Sequence, residues 1–224
     1  MLAFHPIIQI LSILSAIEYG VLYIALATFS KIWVTKYGQR VDISGLHYVA
    51  IAVGEISGAL LGGPLMDRIF RKLRTEFNGE SRPEWHVPTM LPGALIAPAG
   101  LLIYGWAARY HTHWLVVDME MVVMTFGLQI SGMPKQAYII DCYPEHASSA
   151  TAASQFLRSL TAFTFPLFAA MMYQVMGYGW GNTFSFSSHS DRGSACASFV
   201  MAVWSQVAGE SYPGELKCVL ERWY

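Results

Sequence analysis

Charged side chains are scarce in this chain, and their scarcity excludes the commonest class of protein. Asp, Glu, Lys and Arg together make up 13% of the 224 residues, about half of the share that soluble domains carry. Hydrophobic residues make up 54%. The net charge is −1, which gives no general attraction to nucleic acid. These values exclude an ordinary soluble domain and predict no nucleic-acid partner.

The sequence also lacks the usual signals of disulfide frameworks, metal sites and enzymes. Its three cysteines, Cys142, Cys196 and Cys218, are scattered and show no metal-ligand spacing. We find no Gly-x-x-x-x-Gly-Lys phosphate loop, no His-Glu-x-x-His, no Gly-x-Ser-x-Gly and no dinucleotide-binding glycine pattern. The sequence therefore predicts no catalytic residues, no metal and no cofactor. A membrane-embedded enzyme would need a convergent catalytic pair, and no spacing supplies one.

A cleavable signal peptide is not evident either. The chain opens Met-Leu-Ala-Phe-His-Pro, with no positive segment, and no small-residue cleavage pattern follows the first apolar run. We expect that run to be a retained membrane span.

What the chain does contain is five apolar runs, each long enough to cross a bilayer as a helix of about 20 residues. The runs are continuous and long, whereas barrel strands would be short and alternating in polarity. The sequence thus predicts an all-α polytopic membrane bundle within residues 1–181. We expect its spans at Pro6–Phe29, Leu46–Leu65, Val87–Ala108, Trp114–Ile140 and Ala150–Met176.

The last part of the chain has a different composition. Serine is frequent after Trp180, and the apolar run Ala195–Ala208 is too short for a span. We expect Asn182–Tyr224 to form a poorly ordered or interfacial tail.

One dense group of basic residues orients the bundle. It follows the second span and comprises Arg68, Arg71, Lys72, Arg74 and Arg82. Because cytoplasmic loops carry an excess of Lys and Arg, we predict that residues 66–86 form a cytoplasmic loop.

The second span carries two further patterns. Gly54, Gly58 and Gly62 recur every four residues, which indicates a smooth face for close helix packing. In a transporter the same face would also permit sliding between helices. Gly63, Asp67, Arg68, Arg71 and Lys72 then form either a positive anchor or a charged latch at the cytoplasmic surface. Aspartate has no role in anchoring, and we favour the latch.

Ionisable residues within predicted spans are costly and usually mark ion or substrate pathways. Glu18 and Glu55 lie near the middle of their spans, where they would contact protons or substrate, or make structural hydrogen bonds. Lys135 and Arg158 lie nearer the cytoplasmic ends. Their long side chains also allow snorkelling to the interface, which we favour for Lys135. Gln136 and Tyr138 would line a polar path or join helices by hydrogen bonds.

Several motifs, in order, resemble one family. Gly63-x-x-x-Asp67-Arg68-x-x-Arg71-Lys72 resembles the signature after the second and eighth spans of the major facilitator superfamily. Later segments resemble the ninth to eleventh spans of its fungal drug:proton antiporters. They are Pro98-Ala-Gly-Leu101 with Tyr104-Gly-Trp106, Gln136-Ala-Tyr-Ile-Ile-Asp141-Cys-Tyr143, and Arg158-Ser159 with Phe165-Pro-Leu-Phe168.

This resemblance covers about residues 5 to 182 and corresponds to spans seven to eleven. It implies a plasma-membrane exporter of drugs or secondary metabolites that is driven by protons. From their positions in this chain, our candidates for the transport path are Glu18, Glu55, Gln136, Tyr138, Asp141 and Arg158. It also implies that a family N-terminal half, or an oligomer, completes the substrate cavity. The alternative is a non-transporting truncated membrane protein, or a pseudogene product, that lacks the family's N-terminal half and last span.

Overall fold

The computed structural model describes residues 6–76, 86–110, 112–142 and 144–209. Within these ranges the regular structure is entirely helical, which confirms the predicted all-α class. Six α-helices follow in chain order: α1 Pro6–Thr35, α2 Val41–Ser44, α3 Tyr48–Glu76, α4 Val87–Arg109, α5 Trp114–Cys142 and α6 Ala147–Gly209. Two short 3-10 turns, Gly45–His47 and Pro144–His146, precede α3 and α6.

Four of these helical segments are long and apolar enough to span a membrane: Gln9–Thr35, Val41–Lys72, Thr89–Arg109 and Trp114–Cys142. A fifth candidate is the bent pair Pro144–Ala169 and Met171–Gly177, whose parts meet at 49°. Four or five such spans among the described residues agree with the sequence-based expectation of about five.

Helix α3 differs from the prediction at its C-terminal end. It continues to Glu76, so Asp67, Arg68, Arg71 and Lys72 lie on a helix and not in a loop. The reason is the run of good helix formers after Pro64, since Leu, Met, Arg and Lys all favour helix. Arg82, the last member of the predicted basic group, lies outside the described residues.

Besides the bend between Ala169 and Met171, helix α6 has a non-helical residue at Gly177. Gly177 has φ 71° and ψ 170°, a backbone conformation that is accessible essentially only to glycine. The helical backbone resumes after it and continues to Gly209. Residues 182–209, which we expected to be poorly ordered or interfacial, have helical backbone. Residues 210–224 of the predicted tail lie outside the described part of the chain.

The helices pack mainly in four pairs: α4 with α5, α1 with α6, α3 with α5, and α4 with α6. Glycines allow the backbones of neighbouring helices to approach each other closely. A Cβ atom at Gly127 of α5 would lie 2.5 Å from the backbone nitrogen of Ala97 on α4. Helix α5 is thereby held between α3 and α4, with backbones in near contact.

Aromatic side chains fill the core near the predicted outer end of the bundle. Phe29, Trp33 and Tyr104 are fully buried there. In contrast, large apolar side chains on α3 and α6 are exposed, among them Leu60, Phe163 and Val175. Such exposed apolar faces are those that a surrounding bilayer or further helices would cover.

Candidate functional site

The smooth face of α3 lies against α5. A Cβ atom built at Gly54 would lie 2.0 Å from Oγ1 of Thr125 and 2.6 Å from the carbonyl oxygen of Val122. At Gly58 it would lie 2.8 Å from Cβ of Gln129. Gly62 follows with a looser fit, 3.3 Å from Ile130. These glycines therefore permit a helix contact that no larger residue would allow without displacement.

The charged part of the predicted cytoplasmic signature, at the end of α3, is exposed. Asp67, Arg68, Arg71 and Lys72 all lie on the surface. Arg71 donates from Nε to the backbone carbonyl oxygen of Asp67 at 3.2 Å. Among the described residues, no ion pair joins the Asp67 carboxylate to an arginine. If this segment acts as a latch, the carboxylate is available to a partner outside the described helices.

The central feature of the site is a buried ion pair. The Nζ atom of Lys135 on α5 donates to Oε2 of Glu18 on α1, and both residues are buried, at 4% and 6% exposure. The interpretation that Lys135 snorkels to the interface is therefore wrong. Its ammonium group turns inward because Glu18, distant in sequence, supplies the only opposite charge that compensates its burial among the described residues.

A small apolar cavity lies beside this pair. Glu18 forms part of its wall, and the other lining residues are apolar: Val21, Ala97, Pro98, Leu101, Met124 and Leu128. The pair is thus placed in a low-dielectric environment, where electrostatic interactions are stronger than in water.

The other two ionisable candidates gather around Tyr19. The guanidinium carbon of Arg158 on α6 lies 3.4 Å from the centre of the Tyr19 ring. Glu55 on α3 is exposed, and its charge acts on Tyr19 together with those of Arg158 and Glu18. The structure therefore brings Glu18, Glu55, Lys135 and Arg158 to one region between four helices. Sequence reasoning missed Tyr19, which an aromatic residue next to Glu18 in mid-span could have indicated.

The remaining path candidates lie elsewhere. Gln136 donates from Nε2 to Oγ1 of Thr151 at 3.2 Å, a contact between α5 and α6. Tyr138 is buried in an apolar cluster with Leu11 and Met90. The Gln136 contact fits the alternative of interhelical hydrogen bonding.

Asp141 is near the C-terminal end of α5, on the predicted cytoplasmic side and away from the buried pair. Its Oδ2 atom is 3.0 Å from Nε2 of His86, which precedes α4. The ring of Phe70 from α3 stacks on His86, with centroids 4.8 Å apart. These three residues connect α3, the start of α4 and the end of α5 on the predicted cytoplasmic side, and no sequence pattern indicated His86.

A second polar group lies at the opposite end of the bundle. His47 is buried between Asp118, with Nδ1 2.7 Å from Oδ2, and Gln39, with Nε2 2.8 Å from Oε1. Its ring stacks on Trp33 at a centroid distance of 3.7 Å. Nearby, the Tyr37 hydroxyl donates to the carbonyl oxygen of Thr112 at 2.8 Å. Burial raises the pKa of Tyr37.

Membrane-length helices, a buried ion pair and polar groups at both ends define an integral membrane protein with an ionisable region inside its bundle. No group of three or more metal-ligating side chains occurs among the described residues.

Comparison with known proteins identifies the relatives of this chain. It is 52% identical over 82% of its length to the Aspergillus flavus protein named "Probable efflux pump mfs2". It is 38% identical over 80% to the efflux pump vrtL of Penicillium aethiopicum. It is 35% identical over 93% to the MFS-type transporter oryF of Aspergillus oryzae. The chain is thus homologous to part of fungal major facilitator transporters, which confirms the resemblance found in the sequence.

The chain covers less than half of the length of each of these relatives. The chain spans 43% of mfs2, 35% of vrtL and 40% of oryF. The oryF match covers 209 residues, more than the 181 residues that we predict for the membrane domain, so it includes part of the predicted tail. No family model matches the chain. No solved structure matches it either.

Proposed function

We propose that this chain takes part in proton-coupled efflux of small molecules, such as drugs or secondary metabolites, across the plasma membrane. The observation that carries this proposal is the buried Glu18–Lys135 pair, which joins two membrane-length helices. Intramembrane ionisable pairs are costly and are typical of proton and substrate pathways. The names of mfs2 and vrtL support the direction of transport, since both describe efflux pumps.

In this proposal Glu18 is the proton carrier. As a carboxylate it holds the Lys135 ammonium group and joins α1 to α5. When Glu18 takes up a proton it loses its negative charge, and the attraction that holds the two helices together at this point is lost. Proton binding and helix separation are thereby coupled, as alternating access requires.

The other candidates take supporting roles. Glu55 lies exposed near Tyr19 and is the second acidic group of the path. Gln136, Tyr138 and Asp141 hold the cytoplasmic half of α5 against its neighbours. The Gly63–Lys72 segment is the cytoplasmic latch. Its partners, and the other wall of the substrate cavity, come from further helices supplied by an N-terminal half or by another copy.

The test is an accumulation assay in a drug-sensitive yeast. Cells that express the chain, alone and with an N-terminal half from a relative, are loaded with a fluorescent toxic compound at two external pH values. We expect lower accumulation at acidic external pH in cells with the active chain. The Glu18→Gln variant should abolish this effect. The Asp42→Asn variant, which changes an exposed acidic residue outside the site, should retain it.

Unchanged accumulation in both expression formats, with membrane insertion verified, would show that the chain does not transport. The alternative of a non-transporting membrane protein would then hold. Efflux that is independent of external pH and unaffected by Glu18→Gln would refute proton coupling through Glu18, while leaving transport itself established.

A further inference from the structure

Arg158 is a cation within a predicted span that lacks a charged partner among the described residues. Its guanidinium carbon lies 3.4 Å from the centre of the Tyr19 ring. Its Nε atom is buried and makes no hydrogen bond within the described chain. No carboxylate of that part of the chain lies within ion-pair distance of it. A cation in this position is costly without an anion.

The nearby carboxylates do not cancel this charge. Glu18 is already paired with Lys135, and Glu55 is exposed. Neither carboxylate lies within ion-pair distance of the guanidinium group, so its positive charge is not paired and favours a bound anion.

Contact with Tyr19 also orients the guanidinium group. At 3.4 Å from the ring centre the group lies on the ring face, a contact that leaves the N–H donors at its edge unused. Arginine carries five such donors in a planar fork, and the fork matches the two oxygens of a carboxylate. If Arg158 only packed against Tyr19, most of its N–H donors would have no acceptor, because the face of one ring cannot accept five hydrogen bonds.

Tyr19 and Tyr23 provide the rest of the surface. They lie one turn apart on α1, and Tyr23 is exposed. Among the described residues, the hydroxyl group of Tyr19 makes no hydrogen bond, so it is available as a donor. The two rings offer an aromatic contact beside the guanidinium group.

We propose that Arg158 and Tyr19 form an anion-binding subsite that takes the carboxylate or ionised phenol of an aromatic substrate. The inference rests on the proposed transport function and names the substrate class for the same path. The fork of Arg158 binds the anionic group, Tyr19 holds the fork in place, and Tyr23 contacts the aromatic body.

The experiment measures binding directly, without transport. The 224-residue chain in phosphatidylcholine nanodiscs is titrated with benzoate and with benzamide, which has the same shape and no charge, by saturation-transfer NMR. We expect benzoate to bind at least tenfold more tightly than benzamide. Arg158→Gln should remove this difference, and Arg158→Lys, which keeps the charge without the planar fork, should retain part of it.

Arg109 provides the matched control, because its guanidinium carbon also lies over an aromatic ring, 5.2 Å from the centre of Trp106. Arg109→Gln should leave benzoate binding unchanged. Equal binding of benzoate and benzamide to the unmodified chain would overturn the proposal, whether or not the variants fold. An equal loss in both arginine variants would overturn it too, because it would indicate a general charge effect.

A lipid phosphate is the competing anion. Repeating the titration in discs that contain phosphatidylglycerol distinguishes the two sources. Loss of benzoate binding there would identify the headgroup as the occupant and overturn the substrate assignment. The outcome is also separate from that of the accumulation assay: efflux of cationic compounds only, without benzoate binding, refutes the subsite but not transport.

Discussion

The Glu18–Lys135 pair allows a quantitative prediction about stability. The two side chains are 7% and 5% exposed, so solvent screens their attraction very little. Removing one partner leaves the other charge buried and uncompensated, which costs about 3–5 kcal/mol. Glu18→Leu and Lys135→Met should each destabilise the chain by about this amount. The double variant, which buries two apolar side chains of similar size, should be much less destabilised than the sum of both.

The assay is unfolding of the detergent-solubilised chain by increasing mole fractions of SDS, followed by circular dichroism. A double-mutant cycle extracts the coupling energy, which we expect to exceed about 3 kcal/mol. Arg40 and Asp42 form the control pair: they contact at 2.8 Å but are 79% and 60% exposed. Their coupling should stay below about 1 kcal/mol. Additive effects of Glu18→Leu and Lys135→Met would refute the assigned buried pair.

Two further predictions concern helix contacts. Gly54→Ala places Cβ 2.0 Å from Thr125 Oγ1 and should destabilise the chain by about 1–3 kcal/mol in the same assay. Gly132→Ala on α5, where no atom lies within 4 Å, should be neutral or slightly stabilising; equal losses in both variants would contradict the described α3–α5 contact. Asp118→Asn should leave the His47 contact weaker and lower stability by about 1–3 kcal/mol. An unchanged free energy of unfolding in the Asp118→Asn variant would contradict a stabilising contact between His47 and Asp118.

Features that depend on the local residue pattern, such as helix starts and the packing face of α3, could be predicted from the sequence. Helices α4 and α5 begin at Val87 and Trp114, the residues at which long apolar runs start in the sequence. The glycine spacing on α3 indicated which face would contact a neighbour, although not that the neighbour is α5. The second half of α6 was not predicted to be helical, since its composition is polar and its apolar run is short.

Pairings between distant segments could not be predicted in this way. The inward orientation of Lys135 depends on Glu18, 117 residues earlier, and no local rule connects the two. The same holds for His86 with Asp141, and for His47 with Asp118, which are 55 and 71 residues apart. In each case the free-energy cost of burying two polar groups is offset only because the fold places them next to each other.

The spacing of Gly54, Gly58 and Gly62 has a geometric consequence for movement. Four residues of an α-helix rise by about 6 Å. A displacement of α3 along its axis by that distance would bring two of the three glycines close to places that glycines occupied against α5 before. Between the two positions, side chains with a Cβ atom would meet α5. If the proposed transport requires α3 to move along α5, this spacing favours a step of one turn over continuous sliding.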